Sequence, residues 1–315
     1  MKLLVTGGAG FIGSNFVQYI LEQHPDYTII DLVALTYAGN LKNLKEVENN
    51  PNHWFVHGRI EDGKLVDKLM KGIDIVINFA AESHVDRSIV EPQVFIQTNV
   101  LGTQVLLDVA LKHNVKLFLQ ISTDEVYGSL TLDSKDRFTE EHPLSPNSPY
   151  SSSKAAADLL ARAYHRTYGL PVVISRCSNN YGPRQHPEKF IPTVILNALH
   201  DTPVPIYGDG LYVRDWIHVL DHCRAIDTIM HKGKSGEIYN IGADNEIANI
   251  DLAKKILKIM GKPGKLLTSV KDRPGHDRRY AICGDKLRSE LGWKPQITFH
   301  SGLKVTINWY SGTSK

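Results

Sequence analysis

The chain has 315 residues, with 36 Lys and Arg against 34 Asp and Glu, a formal net charge of +2. That balance gives no global attraction to nucleic acid or an anionic membrane, so any positive field must be local. An apolar share of 42% with 22% charged residues excludes a disordered chain. The length suits one large α/β unit with an added lobe, or two domains.

Met1 leads straight into Lys2-Leu-Leu-Val-Thr6, which reads as a strand and not as the charged and apolar regions of a signal peptide. Candidate strands are Leu3–Val5, Thr28–Leu32, Trp54–Val56, Ile73–Phe79, Leu117–Ile121 and Val172–Ser175. Between them Phe16, Val17, Ile20 and Leu21 fall on one helical face, as do Leu101, Val105 and Val109. Apolar strands alternating with helices predict a Rossmann-type, doubly wound parallel sheet covered on both faces. After about residue 177 Pro, Gly and charges become frequent and strands shorten (Val204–Tyr207, Ile238–Ile241), with helical patterns near 251–260 and 284–291. The expected division is 1–177, with some later segments returning to the sheet, and a smaller α/β lobe over 178–315. No run approaches the ~18 apolar residues of a membrane span. Cys177, Cys223 and Cys283 lack metal or redox spacing and fit a reducing cytosol.

Thr6-Gly7-Gly8-Ala9-Gly10-Phe11-Ile12-Gly13 follows the first strand and opens a helix. Glycines there permit a tight turn and a close backbone approach to pyrophosphate, with the helix N-terminus facing the anion. This strand–loop–helix context predicts a dinucleotide site at Gly7, Gly10, Phe11, Ile12 and Gly13. The acid that holds the ribose hydroxyls belongs about twenty residues on, at the end of the second strand, where Asp31 is available.

Ser122-Thr-Asp-Glu-Val-Tyr-Gly128 closes another apolar run, and Tyr150-Ser-Ser-Ser-Lys154 opens a helix after Pro146-Asn-Ser-Pro149. A separation of four puts Tyr150 and Lys154 on one helical face. A phenol titrates near ~10, so a tyrosine base needs its phenolate stabilised, by the lysine and by a cationic nicotinamide. Thr123 can hydrogen-bond a reacting sugar hydroxyl. Alcohol oxidation alone does not need two adjacent carboxyls. Asp124 and Glu125 suit an elimination, since neighbouring carboxyls raise each other's cost of ionisation and can divide into acid and base. His218-Val-Leu-Asp-His222 has i, i+4 metal spacing but lacks the glutamate and a third ligand, so no metal site is expected.

Over nearly its whole length the chain resembles the extended short-chain dehydrogenase/reductases, most closely the dTDP-glucose 4,6-dehydratases. The resemblance lies in Thr6–Gly13, Leu35-Thr-Tyr-Ala-Gly-Asn40, Ala80-Ala-Glu-Ser-His-Val-Asp-Arg-Ser88, Ser122–Gly128, Ser148–Lys154, Cys177-Ser-Asn-Asn-Tyr-Gly-Pro183, Pro205-Ile-Tyr-Gly208, Arg214-Asp-Trp216 and Asp272–Tyr280. It implies an NAD-dependent lyase that oxidises C4 of the glucosyl unit, eliminates water across C5 and C6 and reduces C6. Tyr150, Thr123 and Lys154 would serve the redox step, Glu125 as base and Asp124 as acid the elimination. It also implies cofactor contacts at Leu35, Thr36, Ile60, Phe79, Ala80, Ala81, Ser83, Thr98 and Asn180. Substrate contacts would be Ser83, Thr123, Asn179, Glu188, Lys189, Phe190, Arg214, Asn249, Arg273 and His276, with Pro205, Ile206 and Tyr207 beside the thymine. The family further implies a cytoplasmic homodimer paired through a four-helix bundle, without nucleic acid or membrane partners.

Two positions depart from the family pattern. Val33 stands where an acid usually lies three residues before the threonine, and Arg59 replaces a second acid near the adenine. Both changes remove acceptors from the adenosine end. The alternatives are another nucleotide-sugar epimerase or dehydratase of the superfamily, or a non-catalytic NAD-binding scaffold or sensor.

Overall fold

In a computed structural model, which describes residues 1–313, the first strand runs Lys2–Thr6 (β1) and supplies both faces of the core. Leu3 and Val5 pack to one side and Leu4 to the other, as a period of two requires. The other strands are β2 (Thr28–Val33), β3 (His53–His57), β4 (Ile75–Asn78), β5 (Leu117–Thr123), β6 (Val172–Cys177), β7 (Asn179–Tyr181), β8 (Val204–Tyr207), β9 (Val213–His218), β10 (Ile238–Ile241), β11 (Glu246–Ala248) and β12 (Leu267–Val270). The main sheet has the order β10-β6-β5-β4-β1-β2-β3, parallel throughout. The strand order reverses between β1 and β4, and the crevice beyond their carboxyl ends is where such sheets bind ligands.

Helices are α1 (Phe11–Gln23), α2 (Gly63–Leu69), α3 (Val85–Val90), α4 (Pro92–Phe95), α5 (Thr103–Lys112), α6 (Pro149–Tyr168), α7 (Phe190–Leu199), α8 (Val219–Lys232), α9 (Asn249–Ile259), α10 (Asp285–Leu291) and α11 (Phe299–Thr313). Phe16, Val17 and Ile20 of α1 join Ile226 and Ile229 of α8 over one face of the sheet. Leu106, Leu107 and Ala110 of α5 join Ala161 and Tyr164 of α6 over the other. Ile191 and Ile195 of α7, Leu252 and Ile256 of α9, and Leu303 and Ile307 of α11 form a further core beyond residue 178. Beside it lie a three-stranded sheet, β11-β9-β7, and the parallel pair β12-β8.

One expectation needs correction. A π-helical turn, Ile96–Gly102, fuses α4 to α5 into a helix, Pro92–Lys112, whose length and mean hydropathy of 1.4 would suffice to cross a membrane. Run counting misses it because polar residues interrupt the apolar stretch. One of them, Asn99, is buried and bonds the Glu82 backbone and the Ser153 hydroxyl of α6, so one face of this helix packs on the protein while Ile96 and Leu101 stay exposed. His218 and His222 do not share a helix. His218 ends β9 and caps α8 by accepting from the Leu220 N–H, while His222 meets Asn180 Oδ1 at 2.9 Å.

Candidate active site

The glycine loop leaves β1 at Thr6 and turns at Gly7, whose φ of +77° is left-handed. A Cβ on Gly7 would lie 2.9 Å from the Ala80 nitrogen, so only glycine fits this close approach of the loop to the segment that follows β4. At Gly10 the chain enters α1 without a side-chain cap and without an acid in the first turn. The free N–H groups and positive end of α1 are thus left for an anion in the crevice. This cradle fits the pyrophosphate of a dinucleotide.

β5 delivers the chemistry. Thr123 ends the strand and caps a short 3₁₀ turn, Asp124–Tyr127, accepting from the Glu125 N–H at 3.3 Å. α6 brings the second half. Ser148 and Ser151 form a reciprocal capping box, Pro149 opens the helix and Gly169 ends it at a φ of 73°. This start is fixed firmly enough to put Tyr150 in the first turn and Lys154 one turn later on the same side. Lys154 Nζ donates to the Ile121 carbonyl at 2.6 Å, tying α6 to β5.

Both elements open into a cavity of about 300 Å³. All five expected catalytic residues line it: Thr123, Asp124, Glu125, Tyr150 and Lys154. So do Gly7, Gly10 to Gly13, Leu35, Thr36, Ile60, Phe79 to Ala81, Ser83, Thr98 and Asn180, and, of the expected substrate contacts, Asn179, Glu188 and Lys189. Burial, reinforced by the charges of Glu125 and Asp215, holds the Asp124 carboxyl well above the usual carboxylate range. Burial also raises Glu125, but the Arg273, Arg214 and Lys189 cations pull it back. The adjacent acids therefore differ, Asp124 toward a proton donor and Glu125 toward a base. Burial and then the charge of Glu125 push the Tyr150 phenol well up, against a hydrogen bond from Thr123, while burial lowers the Lys154 ammonium.

Asp31 is a correction. It is fully buried and does not line the cavity, because its carboxylate lies beneath the loop. Oδ1 accepts from the Gly8 N–H at 2.9 Å and Oδ2 lies 3.5 Å from His53 Nε2. A Cβ on Gly8 would occupy the carboxylate's place. Val33 and Arg59 instead line the cavity, Arg59 paired to Glu61 at 3.8 Å.

The remaining expected substrate contacts, Phe190, Pro205, Ile206, Tyr207, Arg214, Asn249, Arg273 and His276, lie outside the cavity's lining. Ile206 is a second correction. Alternation along β8 turns it into the core, leaving Pro205 partly exposed and Tyr207 exposed. Phe190 stacks on Trp216, and Arg273 reaches Asp86 at 3.2 Å. Arg214 lies over the Tyr280 ring and donates to the Asp277 carbonyl at 2.8 Å. His276 stacks on Tyr212 at 3.6 Å, and burial lowers its pKa to about 4, so its imidazole is neutral. The Oδ1 atoms of Asn179 and Asn249 are buried without partners among the described residues. Tyr37, Glu82, Gln185 and His186 also line the cavity and were not expected. Tyr37 was findable, since it follows Thr36, and the Arg87 guanidinium sits 3.7 Å above its ring.

Residues 4–306 match the family described as GDP-mannose 4,6 dehydratase. A dTDP-glucose 4,6-dehydratase of Xanthomonas campestris pv. campestris is 51% identical over 327 residues, covering 98% of this chain and 92% of that protein. The low-salt glycan biosynthesis protein Agl12 of Haloferax volcanii is 51% identical over 99% of both chains. This chain belongs to the dTDP-glucose 4,6-dehydratase family. The crystal structure of a family member, DesIV of Streptomyces venezuelae with NAD and TYD bound, superposes with a TM-score of 0.96 at 50% identity, covering 99% of this chain and 97% of that one. The parallel sheet with its flanking helices is thus that of the dTDP-glucose 4,6-dehydratase family.

Proposed function

We propose that the protein is an NAD-dependent lyase that converts dTDP-glucose to dTDP-4-keto-6-deoxyglucose and water. The observation that carries this reading is the pair of a buried Asp124 and a half-buried Glu125 beside Tyr150 and Lys154 in one cavity. NAD, when bound, would supply the hydride acceptor and donor that oxidation at C4 and reduction at C6 require. Gly7, Gly10 and the first turn of α1 would hold its pyrophosphate, and Lys154, fixed on the Ile121 carbonyl, would offer its charge to the Tyr150 phenolate. Tyr150 takes the proton of the 4-hydroxyl while Thr123 orients that hydroxyl. Oxidation at C4 acidifies C5, so Glu125 removes the C5 proton as Asp124 gives its own to the departing 6-hydroxyl, and Glu125 returns a proton to C5 as C6 is reduced. Arg214, Arg273 and Lys189 lie where their charge steadies Glu125 as an anion, and Arg side chains suit the diphosphate.

Glu125→Gln tests the assignment. With dTDP-glucose the variant should accumulate the absorbance of reduced cofactor and form no 4-keto-6-deoxy product. Unchanged turnover would remove Glu125 from the elimination.

Residues 1–177 would carry the cofactor and 178–315 mainly the nucleotide sugar. A homodimer is supported by the apolar side chains left exposed on neighbouring helices: Val90, Ile96 and Leu101, and Leu159 of α6. Two such helices from each copy would form a four-helix bundle. The three free thiols support a cytoplasmic location.

A further inference from the structure

Away from the cavity, α1 and α8 run side by side over the sheet, and three metal-ligating side chains meet between them. Asp227 and His231 stand at i and i+4 of α8, hence on one face, and His24 follows the last turn of α1. His24 Nε2 lies 3.1 Å and His231 Nδ1 3.0 Å from the same oxygen, Asp227 Oδ1. The three donor atoms fall within 4.8 Å of one another. The side chains are 26%, 16% and 31% exposed, open enough for an ion to enter from solvent.

Neighbouring groups hold each ligand in place. Tyr27 Oη meets His231 Nε2 at 2.8 Å, leaving Nδ1 turned toward Asp227. The Tyr27 ring stacks on His24 at 4.5 Å with 11° between planes. Tyr19 donates to Asp227 Oδ2 at 3.2 Å, an oxygen that His24 Nε2 also approaches at 3.3 Å, so Oδ1 is the oxygen that both histidines share. Such outer partners fix ring orientation and tautomer at metal centres. His231 Nδ1 also lies 2.9 Å from the Asp227 carbonyl, a hydrogen bond that an ion would replace. Two imidazole nitrogens and one carboxylate oxygen, with a side open to water, suit Zn²⁺ and similar borderline ions and not Ca²⁺ or Mg²⁺, which take oxygen ligands.

We propose that His24, Asp227 and His231 form a binding site for a divalent transition-metal ion of the Zn²⁺ class, which clips the end of α1 to α8. None of the three lines the candidate active site. The test uses the full chain, stripped with chelator and titrated with Zn²⁺ by calorimetry and with Co²⁺ by visible absorption. A one-to-one isotherm is expected, with a Zn²⁺-dependent rise in melting temperature. The His24→Ala/His231→Ala double variant should lose both and keep its turnover of dTDP-glucose. Asp227→Asn, which preserves the shape of the cluster, should weaken binding, as should Tyr27→Phe, by about tenfold. No one-to-one isotherm, or an isotherm unchanged in the double variant and in Asp227→Asn, overturns the site and leaves the cluster as a hydrogen-bonded join between helices.

Discussion

Replacing Asp31 separates two roles for a strand-end acid: holding the ribose from the cavity wall, or holding the glycine loop from below. The carboxylate accepts from the buried Gly8 N–H at 2.9 Å, so Asp31→Ala leaves that donor without its partner. An orphaned buried donor costs about 1–3 kcal/mol. For a chain of this size that corresponds to a melting-temperature fall of about 2–6 °C. NAD⁺ should bind about tenfold more weakly, because the loop that approaches the pyrophosphate loses its anchor. Asp31→Asn keeps an acceptor for Gly8. Burial raises the Asp31 pKa above 3.8, against His53 and the Gly8 N–H, so its ionised form is disfavoured in the folded chain. Its contribution is therefore greatest below pH 3.8 and is lost as pH rises through the folded value. Removing the charge should leave stability at pH 7 within about 1 kcal/mol and NAD⁺ affinity nearly unchanged. Differential scanning fluorimetry and NAD⁺ titration of both variants decide the matter. If Asp31→Asn weakened NAD⁺ as much as Asp31→Ala without lowering the melting temperature, the acid would be acting on the ribose and the loop role would be wrong.

Val33→Asp should strengthen NAD⁺ binding about tenfold or more, by offering a charged acceptor at the end of β2. With Arg59 in place NADP⁺ should also bind, and Arg59→Ala should weaken NADP⁺ selectively; wild-type protein that ignores NADP⁺ would contradict this. The pKa of Glu125 is raised, so turnover should climb with pH as its proton leaves, and decline again when Asp124 loses the proton it must give. Asp124→Asn should erase the high-pH decline and slow product formation about 100- to 10,000-fold, and a profile unaltered in shape would exclude Asp124 as the acid. Leu159→Glu places a charge on the exposed face of α6 and should yield monomers in sedimentation velocity, whereas an unchanged sedimentation coefficient would send the interface elsewhere.

The main sheet was legible because its strands, the exposed edge strand β3 apart, are buried on both sides and read as apolar runs; β8 and β10 matched their expected limits. β9 was not legible, since Val213-Arg-Asp-Trp-Ile-His218 carries buried charges whose burial is set by partners elsewhere. Asp215, for example, accepts from the Ala243 and Asn245 N–H groups. The chemistry end of the site could be read from local motifs, because β5 and the start of α6 each carry their residues within a few positions. Asp31 misled because spacing along a strand does not say which way its end faces the loop. The His24, Asp227 and His231 cluster joins residues about two hundred positions apart, and only the packing of α1 on α8 reveals it.

β10 makes the sheet a matter of synthesis order. The open edge of β6 receives its neighbour only from residues 238–241, after the chain has run through α7, β8, β9 and α8. On a ribosome, six parallel strands would therefore wait with an unpaired, apolar edge until most of the chain had emerged. Such edges recruit other chains, and late non-local pairing slows folding. A chain cut between the two halves would keep its glycine loop and its Tyr150 helix yet leave the edge of β6 bare.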